Sequence, residues 1–245
     1  WLNIFFEYDE IKDSNQAKII INRLNNVNKK DVHITLDTFL NFKLVLKSLK
    51  VWFKIFFKSL FIKNNHLVGE NKNFVYFPII ENEFFNNLQN HHSLKNILIY
   101  YLMKDALDKI SSQKNCIFPN ENQPWEMALI SNYKSFSHKN IIGYQHSTTR
   151  FWDLRTFYCE KQYNNKSQFG YPRPDNIAVH SKIFLDAFIK ANYPKKNLKL
   201  VETLKYEKLF DKRINTKKLI PSFNKEKINI TLVLGAFRNF DAALV

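Results

Sequence analysis

The residues best suited to chemistry follow two short apolar runs in the middle of the chain. The first run, residues 116–118, precedes Glu121, and the second run, residues 141–144, precedes His146. A carboxylate and an imidazole are side chains that can take a proton from a hydroxyl group. We therefore predict that Glu121 or His146 is a catalytic general base.

Two arginines come soon after the second run, at Arg150 and Arg155, with Asp153 between them. Guanidinium groups bind phosphate oxygens in a bidentate manner and can stabilise a departing phosphate. Proton removal and phosphate departure are the two demands of sugar transfer from a nucleotide donor. The predicted substrate-binding residues are Arg150, Arg155, Asp153, Gln145 and Glu126.

Each candidate also has a structural interpretation, and the sequence leaves these open. Glu121 could be a solvated loop acid, and His146 could be a hydrogen-bonding histidine of a turn. Glu126 lies in the first turn of a predicted helix, where a carboxylate favours the helix dipole. Asp153 and Arg155 could pair with each other.

A repeated alternation of strands and helices must position these residues. Short apolar runs alternate with helical stretches, as βαβ units do, and this predicts a parallel sheet with helices on its faces. The runs are 116–118, 141–144, 177–179 and 198–201, and the helices are 125–135 and 183–191, with Ser181 as a cap. The carboxyl ends of parallel strands share one edge of the sheet, so the loops of Glu121 and His146 should face each other there.

The segments on either side complete an α/β organisation. Residues 1–36 predict strand, helix and strand, and residues 84–110 predict two helices, the second capped by Ser93. Residues 150–173 form a long insertion that we expect to cover the site. The run 228–234 predicts the first strand of a second domain, which gives domains 1–221 and 222–245. We expect the chain to be a piece of a longer protein and inactive alone.

A long helix is predicted at residues 39–62, and it carries regularly spaced lysines beside many aromatic and aliphatic residues. The lysines are Lys43, Lys47, Lys50, Lys54 and Lys58. Apolar side chains beside cations are typical of a helix that lies on an anionic membrane, and the recurring charges argue against a spanning helix. A core helix with a solvated lysine edge is the alternative.

Composition limits the remaining classes of function. The net charge of +15 fits a nucleic acid, an anionic membrane or a phosphorylated substrate, but a lysine-rich and asparagine-rich composition also follows from an AT-rich genome. The two cysteines, Cys116 and Cys159, have no disulfide or zinc spacing. The chain has no dinucleotide-binding, P-loop, zinc-protease or hydrolase motif.

Four motifs together resemble the glycosyltransferases of bacterial surface carbohydrate biosynthesis. They are Glu121-Asn-Gln-Pro-Trp-Glu126, Ile141-Ile-Gly-Tyr-Gln-His-Ser147, Arg150-Phe-Trp-Asp-Leu-Arg155 and Pro172-Arg-Pro-Asp-Asn-Ile-Ala178. Their order is also similar to a looser pattern of capsule Kdo transferases and CDP-glycerol polymerases. The resemblance covers residues 82–206. The chain has His146-Ser147 where related enzymes often have His-Gly, and Glu202–Lys205 where they have a small-residue turn.

The resemblance implies a GT-B fold, made of two Rossmann-like domains. It implies that the first domain supplies the base, with His146 matching the motif histidine, and that the second binds most of the nucleotide-sugar. The reaction would transfer a sugar to a growing polysaccharide or lipid-linked acceptor without a metal or another cofactor, the nucleotide-sugar being a co-substrate. The enzyme would be cytoplasmic or peripheral on the inner membrane, with no nucleic acid partner.

Two other interpretations remain open. One is a nucleotide-sugar epimerase of GT-B fold, which would need no acceptor. The other is a basic, non-enzymatic module that binds nucleic acid or an anionic membrane through the lysines of the long helix.

Overall fold

A computed structural model describes residues 1–4, 11–27, 29–62, 77–145, 160–163 and 170–202. Several predictions of the preceding section fall outside these ranges. They concern His146, Arg150, Asp153, Arg155, Cys159, the run 228–234 and the predicted second domain 222–245.

The described residues form seven α-helices, two short 3-10 helices and six strands. The helices are α1 (Ser14–Val27), α2 (Phe42–Ser59), α3 (Phe77–Gln89), α4 (His91–Lys109), α5 (Pro124–Ser135), α6 (Glu160–Tyr163) and α7 (Lys182–Lys190). The strands are β1 (Leu2–Asn3), β2 (Ile34–Thr35), β3 (Asn115–Pro119), β4 (Asn140–Tyr144), β5 (Asn176–Val179) and β6 (Leu198–Leu200).

The strands form two parallel sheets. β1 pairs with β2, and the second sheet has the order β3-β4-β5-β6. In that sheet Pro119 is opposite Tyr144, Tyr144 is opposite Ala178, and Val179 is opposite Leu200. Helices connect the successive strands, as parallel pairing requires. The predicted α/β class with a parallel sheet and flanking helices is therefore confirmed.

Local sequence explains where most helices begin. Pro124 occupies the start of α5, where its missing N–H costs nothing. The Ser181 side chain accepts a hydrogen bond from the Phe184 N–H at 3.4 Å, so the predicted cap of α7 is confirmed. Asn41 caps α2 in the same way.

Three predicted helix starts were wrong. The helix α3 begins at Phe77 rather than at residue 84. Asn90, not Ser93, caps α4, because α4 begins three residues earlier and the Asn90 side chain accepts from the N–H groups of His92 and Ser93. The long helix begins at Phe42 rather than Phe39, because a separate 3-10 turn occupies Leu36–Phe39. At α2 and α4 the structure uses a nearby asparagine, Asn41 or Asn90, as the cap.

The main core lies where α4 and α5 pack against β3 and β4. Its buried residues are Leu36, Leu102, Met103, Ala106, Leu107, Phe118, Ala128, Leu129, Ile130, Tyr133 and Ile141. A second cluster is formed by Tyr163, Ile177, Val179, Phe188, Tyr193 and Leu198. The first cluster therefore includes residues of β3 and β4, and the second includes residues of β5 and β6. Among the described helices, none is long and apolar enough to cross a membrane.

Candidate functional site

The carboxyl ends of β3, β4 and β5 meet at one edge of the second sheet. The Asn120 N–H donates to the Tyr144 carbonyl oxygen at 2.8 Å, and the Gln145 N–H donates to the Ala178 carbonyl oxygen at 3.0 Å. These bonds continue the strand pairing for one residue past β3 and β4. The three segments therefore form a continuous edge, which we call the carboxyl edge.

The buried Glu126 side chain accepts hydrogen bonds from the backbone of the loop between β3 and α5. Its carboxylate accepts from the Glu121 N–H at 2.9 and 3.1 Å and from the Asn122 N–H at 2.9 Å. The Glu126 side chain is 0% exposed. A buried carboxylate that accepts two backbone N–H groups fixes the path of the loop.

Burial raises the pKa of Glu126 from its ordinary 4.5 to about 7. The loop N–H groups act in the opposite direction, because a hydrogen bond to the charged form lowers a carboxyl pKa. Burial prevails. Glu126 is therefore a buried group that ionises near neutral pH, although the structure places it behind the loop rather than on the exposed surface.

Asn122 allows the loop to turn back over Glu126. Its φ of 58° lies in the left-handed region, which asparagine tolerates better than most residues. The turn brings the backbone N–H groups of residues 121 and 122 towards the start of α5, where they meet the Glu126 carboxylate. The chain then enters α5 at Pro124.

Gly143 allows the loop to lie close to β4. A Cβ atom at this position would be 2.6 Å from Asn120 Oδ1 and 3.0 Å from Asn120 Cβ. A non-glycine residue at this position would force the Asn120 side chain to shift. Glycine at 143 is therefore what permits Asn120 to pack over the end of β4.

His180 joins the end of β5 to the end of β4. Its Nδ1 lies 3.0 Å from the Gln145 carbonyl oxygen. A carbonyl oxygen can only accept, so Nδ1 must carry the hydrogen, and Nε2 holds the lone pair in the neutral ring. The ring also contacts Phe184 at 5.5 Å between centroids. The hydrogen bond from His180 therefore fixes the position of Gln145, the residue that follows β4.

The structure brings some predicted site residues together. Glu121 is exposed on the loop after β3, and Gln145 is buried at the end of β4. His146 follows Gln145 in the sequence but, like Arg150, Asp153 and Arg155, lies outside the described residues. The two predicted loops therefore leave the same sheet edge, as far as the described residues show.

Asp175, of the fourth motif, lies at the opposite edge of the sheet. Its Oδ2 accepts from the Ile141 N–H at 3.0 Å, at the amino end of β4. Its Oδ1 is 3.1 Å from Lys134 Nζ. A cleft of about 320 Å³ lies nearby, between α5 and residues 170–173. In the structure Asp175 therefore joins β4 and β5 at their amino ends.

Sequence reasoning missed two residues of the carboxyl edge, His180 and Asn120. His180 directly follows the third apolar run, 177–179. The rule that placed Glu121 and His146 at the carboxyl ends of their strands applies equally to this run. Asn120 lay in the first loop, but its contact with Gly143 depends on strand register, which no local motif reveals.

Within the described ranges, the side chains that could bind a metal ion and the one described thiol are as follows. No group of three or more histidine, cysteine, aspartate or glutamate side chains is placed there to hold a metal ion. Burial raises the pKa of the Cys116 thiol to about 11, and a thiol in that state is a poor nucleophile.

The predicted membrane-contact lysines lie on α2. Lys43, Lys47, Lys50, Lys54 and Lys58 are all exposed, as a stripe of one helix should be. The prediction that they share one face is thus consistent with their exposure.

Comparison with family models, with curated proteins and with solved structures finds no match to this chain. What the structure establishes is therefore an α/β protein with parallel sheets flanked by helices, compatible with a Rossmann-like fold.

Proposed function

We propose that this protein is a GT-B-type glycosyltransferase that moves a sugar from a nucleotide-sugar to a growing surface polysaccharide or lipid-linked acceptor. The observation that carries the proposal is the carboxyl edge. There the loop of Glu121 is bonded to the end of β4, from which the chain leads into His146. Open parallel sheets bind their ligands at this edge.

His146 is the proposed general base for the acceptor hydroxyl. An imidazole suits this step because its ordinary pKa lies near neutral pH. Glu121 contributes an exposed carboxylate on the neighbouring loop, where it can contact acceptor hydroxyl groups. Arg150 and Arg155 are proposed to bind phosphate or acceptor oxygens, with Asp153 as a further contact.

His180 is proposed as a positioning residue. Its Nδ1–H donates to the Gln145 carbonyl oxygen, one residue before His146 in the sequence. This bond fixes where the chain leaves β4. Glu126 has the same kind of role for the other loop, since its carboxylate holds the N–H groups of residues 121 and 122.

We place the donor nucleotide mainly on a second Rossmann-like domain that begins near residue 222. The reaction would take place in the cytoplasm, with the protein peripheral on the inner membrane. Cationic side chains and helix N-termini would take the charge of the leaving group.

The test is a transfer assay on the full-length gene product. The enzyme is incubated with UDP-, GDP-, CDP- and CMP-linked sugars, with and without lipid-linked and polysaccharide acceptors from a capsule-forming bacterium. We expect sugar incorporation and nucleotide release from one donor class, both dependent on an acceptor. A changed sugar configuration without any acceptor would instead show an epimerase, and inertness towards every nucleotide-sugar would contradict both.

A further inference from the structure

Helix α2 has a surface that the described part of the protein leaves largely exposed. Its apolar members are Phe42 (76% exposed), Leu46 (51%), Phe53 (47%) and Phe57 (56%), and Leu60 (57%) and Phe61 (82%) follow directly. Folded proteins seldom leave so many large apolar side chains exposed on one helix. We call this set, together with the five lysines, the α2 surface.

The lysines and the apolar residues form two adjacent stripes. At about 100° per residue, Phe42, Leu46, Phe53 and Phe57 fall within an arc of about 60°. The five lysines occupy the next arc of about 80°. The α2 surface is therefore apolar along one side and cationic along the other, a division that runs the length of the helix.

The opposite side of α2 is firmly held by the protein. The Trp52 Nε1–H donates to the Asn90 carbonyl oxygen at 3.2 Å, and Ser59 Oγ accepts from Gln89 Nε2 at 2.9 Å. Ser48 and Ser59 are buried. Because this side packs against α3 and α4, the α2 surface is the side that the fold turns outwards.

The charge of the α2 surface is not balanced locally. The chain has no aspartate or glutamate between Asp37 and Glu70. None of the five lysines forms an ion pair with a described residue; Lys47 lies 4.4 Å above the Tyr101 ring. Exposed lysines without an anionic neighbour, beside exposed aromatic residues, fit a partner that is both anionic and apolar.

We propose that the α2 surface docks the protein on an anionic lipid bilayer. Phe53 and Phe57 would enter the acyl boundary, while the lysines would meet phosphate headgroups. A nucleic acid would satisfy the lysines but leave the phenylalanines in water. A second copy would place two sets of unpaired lysines near each other. This proposal identifies the surface for the peripheral location proposed above, and it does not depend on the proposed sugar transfer.

Vesicle flotation tests this proposal with the full chain. We expect binding to vesicles of equimolar phosphatidylglycerol and phosphatidylcholine, little binding to phosphatidylcholine alone, and a loss of binding at high salt. Lys50→Glu with Lys54→Glu should weaken binding at least about twentyfold, since each lysine near an anionic surface contributes about fivefold. Phe53→Gln with Phe57→Gln should weaken it at least about tenfold.

Matched variants separate the α2 surface from general charge and exposure. Lys195→Glu with Lys196→Glu makes the same change of net charge at exposed lysines outside α2. Ile183→Gln and Val27→Gln remove apolar side chains that are 79% and 82% exposed elsewhere. These variants should bind the vesicles as the wild type does, and circular dichroism should show every variant folded.

Three outcomes would overturn the proposal. The first is no binding to anionic vesicles by the folded wild type. The second is binding that the Lys195 and Lys196 reversals weaken as much as those at Lys50 and Lys54, which would show general charge attraction. The third is binding of duplex DNA or RNA, or self-association in sedimentation, that depends on the α2 surface while vesicle binding does not.

Discussion

The Glu126 carboxylate receives the Glu121 backbone N–H through both of its oxygens, at 2.9 and 3.1 Å. The two residues are five positions apart, one exposed on the loop and the other buried below it. One acidic residue of the motif thus holds the backbone that displays the other. In the motif of residues 121–126, Glu126 therefore has a structural role, whereas Glu121 is exposed. Mutations can test this difference.

At about pH 5, Glu126→Ala should destabilise the protein by about 2 to 4 kcal/mol, because two backbone N–H groups would lose their acceptor in a buried place. The difference should shrink at higher pH, because ionisation of the buried carboxyl group lowers the stability of the wild type alone. Glu121→Ala is the matched control. It removes an exposed carboxylate but keeps the backbone N–H, so it should change the free energy of unfolding by less than about 0.5 kcal/mol. Urea unfolding measures both, and equal effects would contradict this difference.

The raised pKa of Glu126 should make stability depend on pH. The unfolded side chain ionises at its ordinary 4.5 and the folded one at about 7, so between these values the unfolded state binds fewer protons. The free energy of unfolding should therefore fall by about 3 kcal/mol as pH rises through this window, and level off above it.

Glu126→Gln isolates this effect from every other titrating group. The variant cannot ionise at this position, so the difference in unfolding free energy between wild type and variant should shift by about 3 kcal/mol between about pH 4 and about pH 8. The wild type should lose stability relative to the variant as pH rises. A constant difference would show that the pKa of Glu126 is the same in the folded and unfolded states, and a shift of opposite sign would show that folding lowers it.

His180 should matter for turnover through its bond to Gln145. His180→Ala removes the donor and should lower kcat by about tenfold to a hundredfold, with KM for the nucleotide-sugar nearly unchanged, because a small displacement of the base is costly. His180→Asn can still donate to the carbonyl oxygen from its amide and should recover most of the loss. An asparagine variant as slow as the alanine variant would contradict the positioning role of this hydrogen bond.

The periodic parts of this fold were predictable from the sequence. The runs of β3 to β6 and the helices α5 and α7 were all located, because buried strands and amphipathic helices leave apolar patterns of different period. Helix starts were less certain. At α4 both Asn90 and Ser93 can cap a helix, and only the packed structure chooses between them.

The arrangement of the site was harder to predict than its location. The carboxyl ends of parallel strands share one edge of the sheet, and this rule placed Glu121 and Gln145 at the same edge. The same rule could also have found His180. The burial of Glu126 could not be predicted from the sequence, because a glutamate in the first turn of a helix is ordinarily exposed. Its position depends on the left-handed turn at Asn122 and on tertiary packing, neither of which a local pattern shows.

The most direct test of the proposed function is the rate of sugar transfer by His146→Ala in the full-length gene product. Loss of a general base should lower kcat about 10²- to 10⁴-fold, with the urea unfolding midpoint unchanged. His92→Ala, at an exposed histidine of α4, is the matched control and should transfer at the wild-type rate. A folded His146→Ala enzyme with wild-type turnover would contradict the assignment of the base.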